Sequence, residues 1–496
     1  MAMANGQEKE IKLTSTKEAR KKFFQLPLVK KKIVAGSQHT LKLWNQYLDT
    51  RDRKLSRTGM AYRIRRTDGR TFEATIKSRG ETVNGFSRRA EYTVPLKQDQ
   101  PVLRGFDPQV DQKLQALLQE DELLPLCTVE FTRKVALLQL SAVTVVEAAV
   151  DTGTIKAGGK EALIGEIELE LKKGQERELL RFTAGLSLEI PLLPEERSKF
   201  SRGLALLEKN TPKTKERADI PSWTKDADPV ILWRSLARKA AGTALDKLAL
   251  QVDEELDVQG MLYTLRQLRG LWLVGQDFLS LRTWKKGKKL LTGLQEQLAP
   301  LAYLTGLSDG KSKPFPEELL PLGPGRKWLD DQWAAAARKA AEACGKEVRA
   351  VLWQLLYLCT LAHAKAGIAD LGTLLQRQWN VWLQEEQLLA DGGKTNPWDR
   401  KEQMEKLEGL LALTWGLGGK RLQKRGRVYE DQWWKHCLSY ARTRTLEEGA
   451  EQVDDRPLSL ALAALCGQEG LRTEKRRKRA WKAGKDFYKE MVKHKA

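Results

Sequence analysis

A chain of 496 residues is long for a single hydrophobic core, so the sequence predicts two or three domains. Its 41% hydrophobic and 30% charged residues are typical of a globular protein, and no run of about 18 apolar residues is present to span a membrane. The start of the chain lacks the apolar core of an export signal. The net charge of +21 predicts a polyanionic partner: nucleic acid, an anionic membrane surface or a phosphate chain.

Cysteine and histidine patterns argue against disulfide and zinc frameworks. The five cysteines are scattered without a C-x-x-C pair, and the four histidines form no metal-binding motif. An odd and unpatterned set of cysteines is typical of free thiols in a reducing compartment. The sequence therefore predicts a cytoplasmic protein.

The segment GQEKEIKLTS, residues 6–15, has the spacing of a β-strand with one charged face. Glu8, Glu10 and Lys12 alternate with Ile11 and Leu13, so the two sets point to opposite sides. Taken alone, this pattern is typical of a solvated edge strand, whose charges discourage aggregation.

The same alternation of charged and apolar residues returns along the first 200 residues. It predicts an antiparallel, mostly β domain with short helices at 17–24 and 110–118. The charged positions are Arg63, Arg65, Glu73, Lys77, Arg89, Glu91, Arg133, Glu166, Glu168 and Glu170. For any one strand, a sheet with one wet face is a sufficient explanation. Recurrence on so many strands also suits a barrel with a charged interior.

Those charges suit a metal-bound phosphate chain. Clustered arginines and lysines bind phosphate oxygens, either bidentately or as point charges. Clustered carboxylates supply the oxygen ligands that Mg²⁺ and Mn²⁺ prefer.

Residues 7–205 resemble the CYTH domain of the triphosphate tunnel metalloenzymes. The stretch from Glu8 to Lys12 is similar to the family's E-x-E-x-K signature, and YLDTRDRKLSRTGMAYRIRR resembles its arginine-rich block. TIKS, SRRAEYTVPL, VDTGTIKAG and GEIELELKKG follow in the family's order. The resemblance implies an eight-stranded antiparallel β tunnel lined by these charges. One departure is FTRKV, where Lys134 and Val135 follow Arg133 in place of the family's R-x-R.

The resemblance also implies an activity: metal-dependent hydrolysis of inorganic triphosphate. It implies that Glu8, Glu10, Glu168 and Glu170 bind a divalent ion, Mg²⁺ or Mn²⁺, and that Glu91 or Glu166 assists a second ion or orients the attacking water. Lys12, Arg63, Arg65, Lys77, Arg89 and Arg133 would neutralise the phosphate chain and the transition state. Because phosphoryl transfer depends on positioning and electrostatics, a catalytic histidine or cysteine is not required.

The second part of the chain has helical patterns and a different composition. Fourteen of the 15 tryptophans follow residue 220, and the polar segment 211–228 predicts a linker between domains 1–210 and 229–496. Apolar stripes at spacings of three and four predict an all-α domain of helical bundles, with the tryptophans mostly in its core. The whole chain is therefore predicted as a two-part α+β protein.

Residues 229–496 resemble a divergent CHAD domain, a helical module that often follows CYTH and binds polyphosphate. Arg266 and Arg269 match the family's repeated basic pattern, and Arg349 matches a second copy. Gln259, Leu262 and Lys346 replace histidine or arginine of that pattern. Basic runs at 285–289 and 475–479 add positive charge, although a solvated helix face is an equally good explanation for each.

Two function classes remain open from the sequence. The first is an inorganic triphosphatase with a polyphosphate-binding helical domain, or a related enzyme that acts on thiamine triphosphate or cyclises ATP. The second is a non-catalytic binder of polyphosphate or nucleic acid. The grouped carboxylates favour the enzyme, since a polyanion binder has no use for them, and they make nucleic acid the weaker partner. No membrane partner is predicted.

Overall fold

The computed structural model divides into two compact units, Met1–Ala218 and Asp219–Ala496. It describes residues 6–78, 80–83, 86–207, 224, 226–249, 258–305, 327–328, 331–332, 334–336, 338, 347–363, 370–388, 396–414 and 420–495. Most of the predicted linker, 211–223 and 225, lies outside the described residues. The predicted domain limits therefore stay a prediction.

Eight antiparallel strands of the first unit close into a barrel. The described residues of this unit form ten strands, of which all but β5 and β10 belong to the barrel: β1 (Gly6–Thr14), β2 (His39–Asp49), β3 (Ala61–Thr67), β4 (Thr71–Lys77), β5 (Glu81–Val83), β6 (Phe86–Leu96), β7 (Leu124–Gln139), β8 (Val145–Ala157), β9 (Lys160–Lys173) and β10 (Leu193–Pro194). The hydrogen-bonded order is β1-β9-β8-β7-β2-β3-β4-β6, and β6 pairs back to β1. β10 and β5 pair with β1 and β6 outside this ring. The predicted tunnel fold is confirmed.

Six helices accompany the barrel. They are α1 (Lys17–Lys22), α2 (Pro27–Lys30), α3 (Lys54–Arg57), α4 (Pro108–Leu118), α5 (Glu176–Glu189) and α6 (Lys199–Leu207). Thr16 caps α1 by accepting a hydrogen bond from the amide of Ala19, and Asp107 caps α4 by accepting one from Gln109. The two helices predicted from sequence are confirmed in α1 and α4, apart from residues 23 and 24, which form a 3₁₀ turn.

The outer face of the barrel wall is apolar. Tyr62 and Ile64 of β3, with Ala74 and Ile76 of β4, pack in one buried cluster that also contains Leu114 of α4. Since neighbouring residues of a strand point to opposite faces, the charged positions between them point into the barrel. The wall is therefore covered by helices outside and lined by charges inside.

Helix α6 fills one end of the barrel. Its Phe200 stacks on Tyr47 with ring centroids 5.0 Å apart and packs with Phe131 and Ile155 from the interior faces of β7 and β8. A Cβ atom on Gly203 would lie 2.5 Å from the sulfur of Cys127, so only glycine permits this approach. The barrel is thus apolar at the α6 end and charged beyond it.

Every described element of the second unit is helical. The helices are α7 (Pro229–Ala249), α8 (Val258–Val274), α9 (Leu281–Thr305), α10 (Glu347–Cys359), α11 (Leu371–Leu388), α12 (Lys401–Leu413), α13 (Lys420–Gln452) and α14 (Arg456–Lys495), with short 3₁₀ turns. Trp233, Trp272, Trp353 and Trp382 are fully buried, as the predicted tryptophan core requires. None of the described helices combines the length and hydropathy of a membrane span.

Truncating a side chain tests whether the outward face of β3 is buried in the core. Ile64 is fully buried, so Ile64→Ala should lower the free energy of unfolding by about 2–5 kcal/mol. Leu163→Ala is the matched control, because Leu163 is 79% exposed and its truncation should change stability by less than about 0.5 kcal/mol. Urea denaturation of the full chain, followed by circular dichroism, measures both. Equal effects would contradict the burial of Ile64 in the cluster between the barrel wall and α4.

Candidate active site

Strand pairing brings opposite charges together inside the barrel. On β1 and β9, Lys12 lies directly opposite Glu168, and Glu10 lies opposite Glu170. On β4 and β6, Lys77 lies opposite Glu91. Directly opposed residues of antiparallel strands share a face, so the register itself assembles the site.

A first charged cluster surrounds Lys77. Its Nζ atom lies 2.9 Å from Glu8 Oε2 and 3.0 Å from Glu91 Oε2, and Arg63 lies 3.6 Å from Glu91. Burial, reinforced by Glu10 and Glu91, raises the pKa of Glu8 to about 7 in spite of Lys77. Burial also favours the neutral form of Glu91, but Lys77 and Arg63 outweigh it and lower the pKa of Glu91 to about 2.

Arginines form a positively charged wall beside this cluster. Arg63 donates a hydrogen bond to Thr75 Oγ1 at 2.9 Å, and Arg65 Nε donates to Asn45 Oδ1 at 2.9 Å. Burial, together with repulsion from Arg63 and Arg133, lowers the pKa of Arg65 to about 10. Such crowding of cations is favourable once an anion lies between them.

A second charged cluster joins β7, β8, β9 and α6. Arg133 binds Asp151 bidentately, at 2.8 and 2.7 Å, and also contacts Glu168. Lys199 of α6 lies 2.7 Å from Asp151 Oδ2 and 3.0 Å from Glu168 Oε1, and it contacts Glu166. These cations hold the pKa of Glu168 well below its usual range although burial raises it, whereas burial dominates at Glu166 and raises its pKa.

The remaining predicted tunnel residues bridge the two clusters. Lys12 lies 3.5 Å from Glu10 and 3.7 Å from Glu168, and Arg89 lies 3.8 Å from Glu10. Glu170 lies beside Lys172, and burial raises its pKa. The structure therefore brings all the predicted tunnel residues onto the interior of one barrel.

Two interior residues were missed by the sequence reasoning. Asp151 lies in the quoted segment VDTGTIKAG, where its alternation with Ala149 and Gly153 could have placed it on the inner face. Lys199 lies on a helix, so strand periodicity gives no signal for it. At the departure from R-x-R, Val135 is a buried apolar residue of β7.

The carboxylates of the tunnel fit a divalent ion. Asp151, Glu166 and Glu168 have carboxylate oxygens within 4.8 Å of one another, and of the predicted metal ligands only Glu168 belongs to this group. Glu8 and Glu10 face the same interior from β1. All these donors are oxygens, and burial raises the pKa values of Glu8, Glu166 and Glu170 although each of them has a lysine neighbour. Oxygen donors of this kind suit Mg²⁺ or Mn²⁺.

The predicted polyphosphate contacts lie in the helical unit. Arg269 is 6% exposed and donates hydrogen bonds to Glu405 and Thr292. Arg266 lies over the ring of Trp434, 4.3 Å from its centroid, and Arg349 is half-buried on α10. Arg269 is thus engaged with a buried carboxylate of α12.

Comparisons with known proteins find relatives of part of this chain. A relative from Haemophilus influenzae, an inorganic triphosphatase, is 33% identical over 204 residues, which are 40% of this chain and 55% of the relative. The chain therefore spans about half the length of this curated relative.

Three solved structures are similar to about two fifths of the chain. A Hippeastrum protein, a candidate adenylyl cyclase described as having a dominant triphosphatase activity, is 19% identical, with 40% of this chain and 95% of that chain covered and a TM-score of 0.28. A Pyrococcus horikoshii protein is 17% identical, with coverage of 40% and 99% and a TM-score of 0.26. A candidate adenylate cyclase from Bacillus halodurans is 21% identical, with coverage of 39% and 96% and a TM-score of 0.27.

The family comparison addresses the first unit alone. The family model of the CYTH domain matches residues 6–204. This range contains β1 to β10 and the first six of the nine residues of α6, and it includes both charged clusters. Residues 6–204 therefore match the CYTH domain, the family to which the signature that begins at Glu8 pointed.

Proposed function

We propose that the first unit hydrolyses inorganic triphosphate in its charged tunnel with the help of a divalent metal ion. The observation that carries the proposal is the interior of the closed barrel, where buried cations and buried carboxylates from several strands contact each other. A protein that only bound polyanions would gain nothing from carboxylates at its binding surface. The similarity of 204 residues of the chain to an inorganic triphosphatase supports the same activity.

Charge complementarity explains how such a tunnel binds its substrate. Lys77, Arg63 and Arg133 are now neutralised by carboxylates of the tunnel. A metal-bound phosphate chain brings a cation for those carboxylates and oxygen anions for those basic groups. Each internal ion pair is thus exchanged for two new ones, so the buried charges stay compensated when substrate enters.

The proposed roles in hydrolysis are those that the family resemblance implies, and the interior positions of these residues support them. Glu8, Glu10, Glu168 and Glu170 would hold the metal ion, which supplies electrophilic stabilisation of the phosphate oxygens when bound. Lys12, Arg63, Arg65, Lys77, Arg89 and Arg133 would bind the chain and the charge that develops on it. Glu91, whose neighbours keep it ionised, can accept a hydrogen bond from the attacking water and orient it, and Glu166 is the alternative at the α6 end.

The substrate is the least constrained part of the proposal. An assay panel of tripolyphosphate, pyrophosphate, ATP and thiamine triphosphate, each with Mg²⁺ or Mn²⁺, separates the triphosphatase from other enzymes of the family. Release of phosphate from tripolyphosphate is the expected result. Binding without turnover of any of these compounds would favour the non-catalytic alternative.

The described cysteines are free thiols, which agrees with the proposed cytoplasmic location.

For the helical unit we propose polyphosphate binding by a divergent CHAD domain. Because Arg269 is held by Glu405, exposed lysines are the better candidates for first contact. Helix α14 carries exposed lysines at spacings of three and four, and we call them the α14 lysine stripe: Lys475, Lys478, Lys482, Lys485 and Lys489. Spacings of three and four place these ammonium groups along one helix face, which suits a linear polyanion.

Replacing Glu10 tests the tunnel chemistry. Glu10→Gln keeps the size of the side chain but removes a buried charge, so tripolyphosphate hydrolysis should slow at least about a hundredfold. Glu130→Gln is the matched control, because Glu130 is exposed on β7 and points away from the interior. Steady-state phosphate release at saturating metal measures both variants. A normal rate for Glu10→Gln would refute the role of β1.

Replacing Glu8 tests whether burial and the neighbouring carboxylates raise its pKa in the folded protein. Its pKa is raised from 4.5 to about 7, so the folded state binds this proton more tightly than the unfolded chain. Metal-free protein therefore loses stability as pH rises through this window, and the loss is complete above about pH 7. In EDTA, Glu8→Gln should be more stable than the parent at about pH 8 and should lose that advantage at about pH 4.5. Thermal denaturation at both pH values checks this, and a destabilised variant at the higher pH contradicts it.

Polyphosphate binding is tested in the full chain with Glu10→Gln as the background, so that hydrolysis does not intervene. Lys475→Gln, Lys482→Gln and Lys489→Gln together should weaken binding of long polyphosphate about tenfold at low salt, since three contacts are lost. Lys30→Gln, Lys31→Gln and Lys97→Gln remove the same charge from exposed positions of the first unit. Equal weakening by both triple variants, or equal affinity of the parent for duplex DNA, would indicate only a generic basic surface.

A further inference from the structure

Lys199 occupies the centre of the second charged cluster. Its ammonium lies 2.7 Å from Asp151, 3.0 Å from Glu168 and in contact with Glu166, the three carboxylates whose oxygens lie within 4.8 Å of one another. The Lys199 side chain is 7% exposed, and Asp151 is fully buried. An ammonium with three carboxylate partners holds the position that a small cation would hold.

The remaining cations near this cluster do not replace Lys199. Arg133 binds Asp151 and Glu168, and Lys12 is shared between Glu168 and Glu10. Of the three carboxylates, Arg202 forms an ion pair with Glu166, at 3.4 Å. Lys199 contacts all three buried carboxylates, so without it their negative charges would be less completely compensated.

Lys199 is also tied to the helix that fills the barrel end. It is the first residue of α6, and the next residue, Phe200, stacks on Tyr47. Lys199 thus holds α6 through ion pairs, and the adjacent Phe200 holds it through apolar packing. The ion pairs of Lys199 can break while the packing of Phe200 remains.

We propose that Lys199 is a tethered counter-ion that holds the cluster of Asp151, Glu166 and Glu168 when no divalent ion is present. The ion and the ammonium compete for the same oxygens. The inference rests on the proposed function, because it takes the tunnel as a metal-binding site. Metal binding at this cluster then displaces Lys199, loosens the first turn of α6 and frees an ammonium for a phosphate oxygen.

The first test is metal binding by the full chain, stripped with EDTA and titrated calorimetrically with Mn²⁺ alone. Lys199→Met keeps the length of the side chain and removes the competing charge, so Mn²⁺ should bind at least about tenfold more tightly, or one further ion should bind. Lys156→Met removes the same charge from a half-exposed position on β8 and should leave binding unchanged. Unchanged Mn²⁺ affinity and stoichiometry in Lys199→Met would overturn the inference.

The second test uses the parent protein and does not depend on the folding of a variant. Hydrogen exchange of the amides in the first turn of α6 should become faster when Mn²⁺ is added without phosphate, because the Lys199 anchor is released. Slower or unchanged exchange at saturating Mn²⁺ would overturn the inference.

The two proposals fail in different ways. If the parent binds Mn²⁺ and hydrolyses tripolyphosphate while Lys199→Met binds Mn²⁺ with parental affinity, only the role of Lys199 is wrong. If neither the parent nor Lys199→Met binds Mn²⁺ and no hydrolysis occurs, the metal-dependent function itself is wrong, and the inference falls with it.

Discussion

Mutual compensation of buried charges is the constraint on which the first unit depends. A lone carboxylate or guanidinium inside a barrel costs several kcal/mol, so each must have a partner of opposite charge. Strand register supplies these partners, as with Lys12 opposite Glu168 and Lys77 opposite Glu91. The tunnel is therefore stable only as a set of paired charges, and the same pairs make it responsive to a ligand that carries both charges.

Closure of the sheet makes this compensation possible. β1 pairs with β9 on one side and with β6 on the other, which encloses Glu8 and Glu10. In an open sheet β1 would be an edge strand, and its charges would be hydrated. The wet-edge explanation of the opening segment is thus wrong for a topological reason: the β1–β6 pairing turns the charged face inward.

Local periodicity predicted the charged face of each strand but not the side on which it lies. Charged residues alternate with a period of two whether their face is exposed to solvent or enclosed in a barrel. The ordered motifs of the CYTH resemblance were needed to distinguish these two possibilities. Asp151 and Lys199 come together through the return of α6 onto β8, which no local pattern encodes. In the helical unit, the apolar stripes predicted the buried tryptophans. They could not reveal that Arg269 is bound to Glu405, because that contact joins residues 136 positions apart.

The boundary between apolar and charged interior also limits what the tunnel can hold. On the inner face of β7, the apolar Phe131 is followed by Arg133. On the inner face of β9, the apolar Ile164 is followed by Glu166. The charged interior therefore begins at the next inward-facing residue after the apolar cluster at α6. A phosphate chain cannot advance past this point, because it would lose hydration and gain no cation from Phe131, Tyr47 or Phe200. The charged part of the interior therefore agrees with the short phosphate chain proposed as the substrate. The proposed binding of long polyphosphate would use a different surface, the exposed α14 lysine stripe.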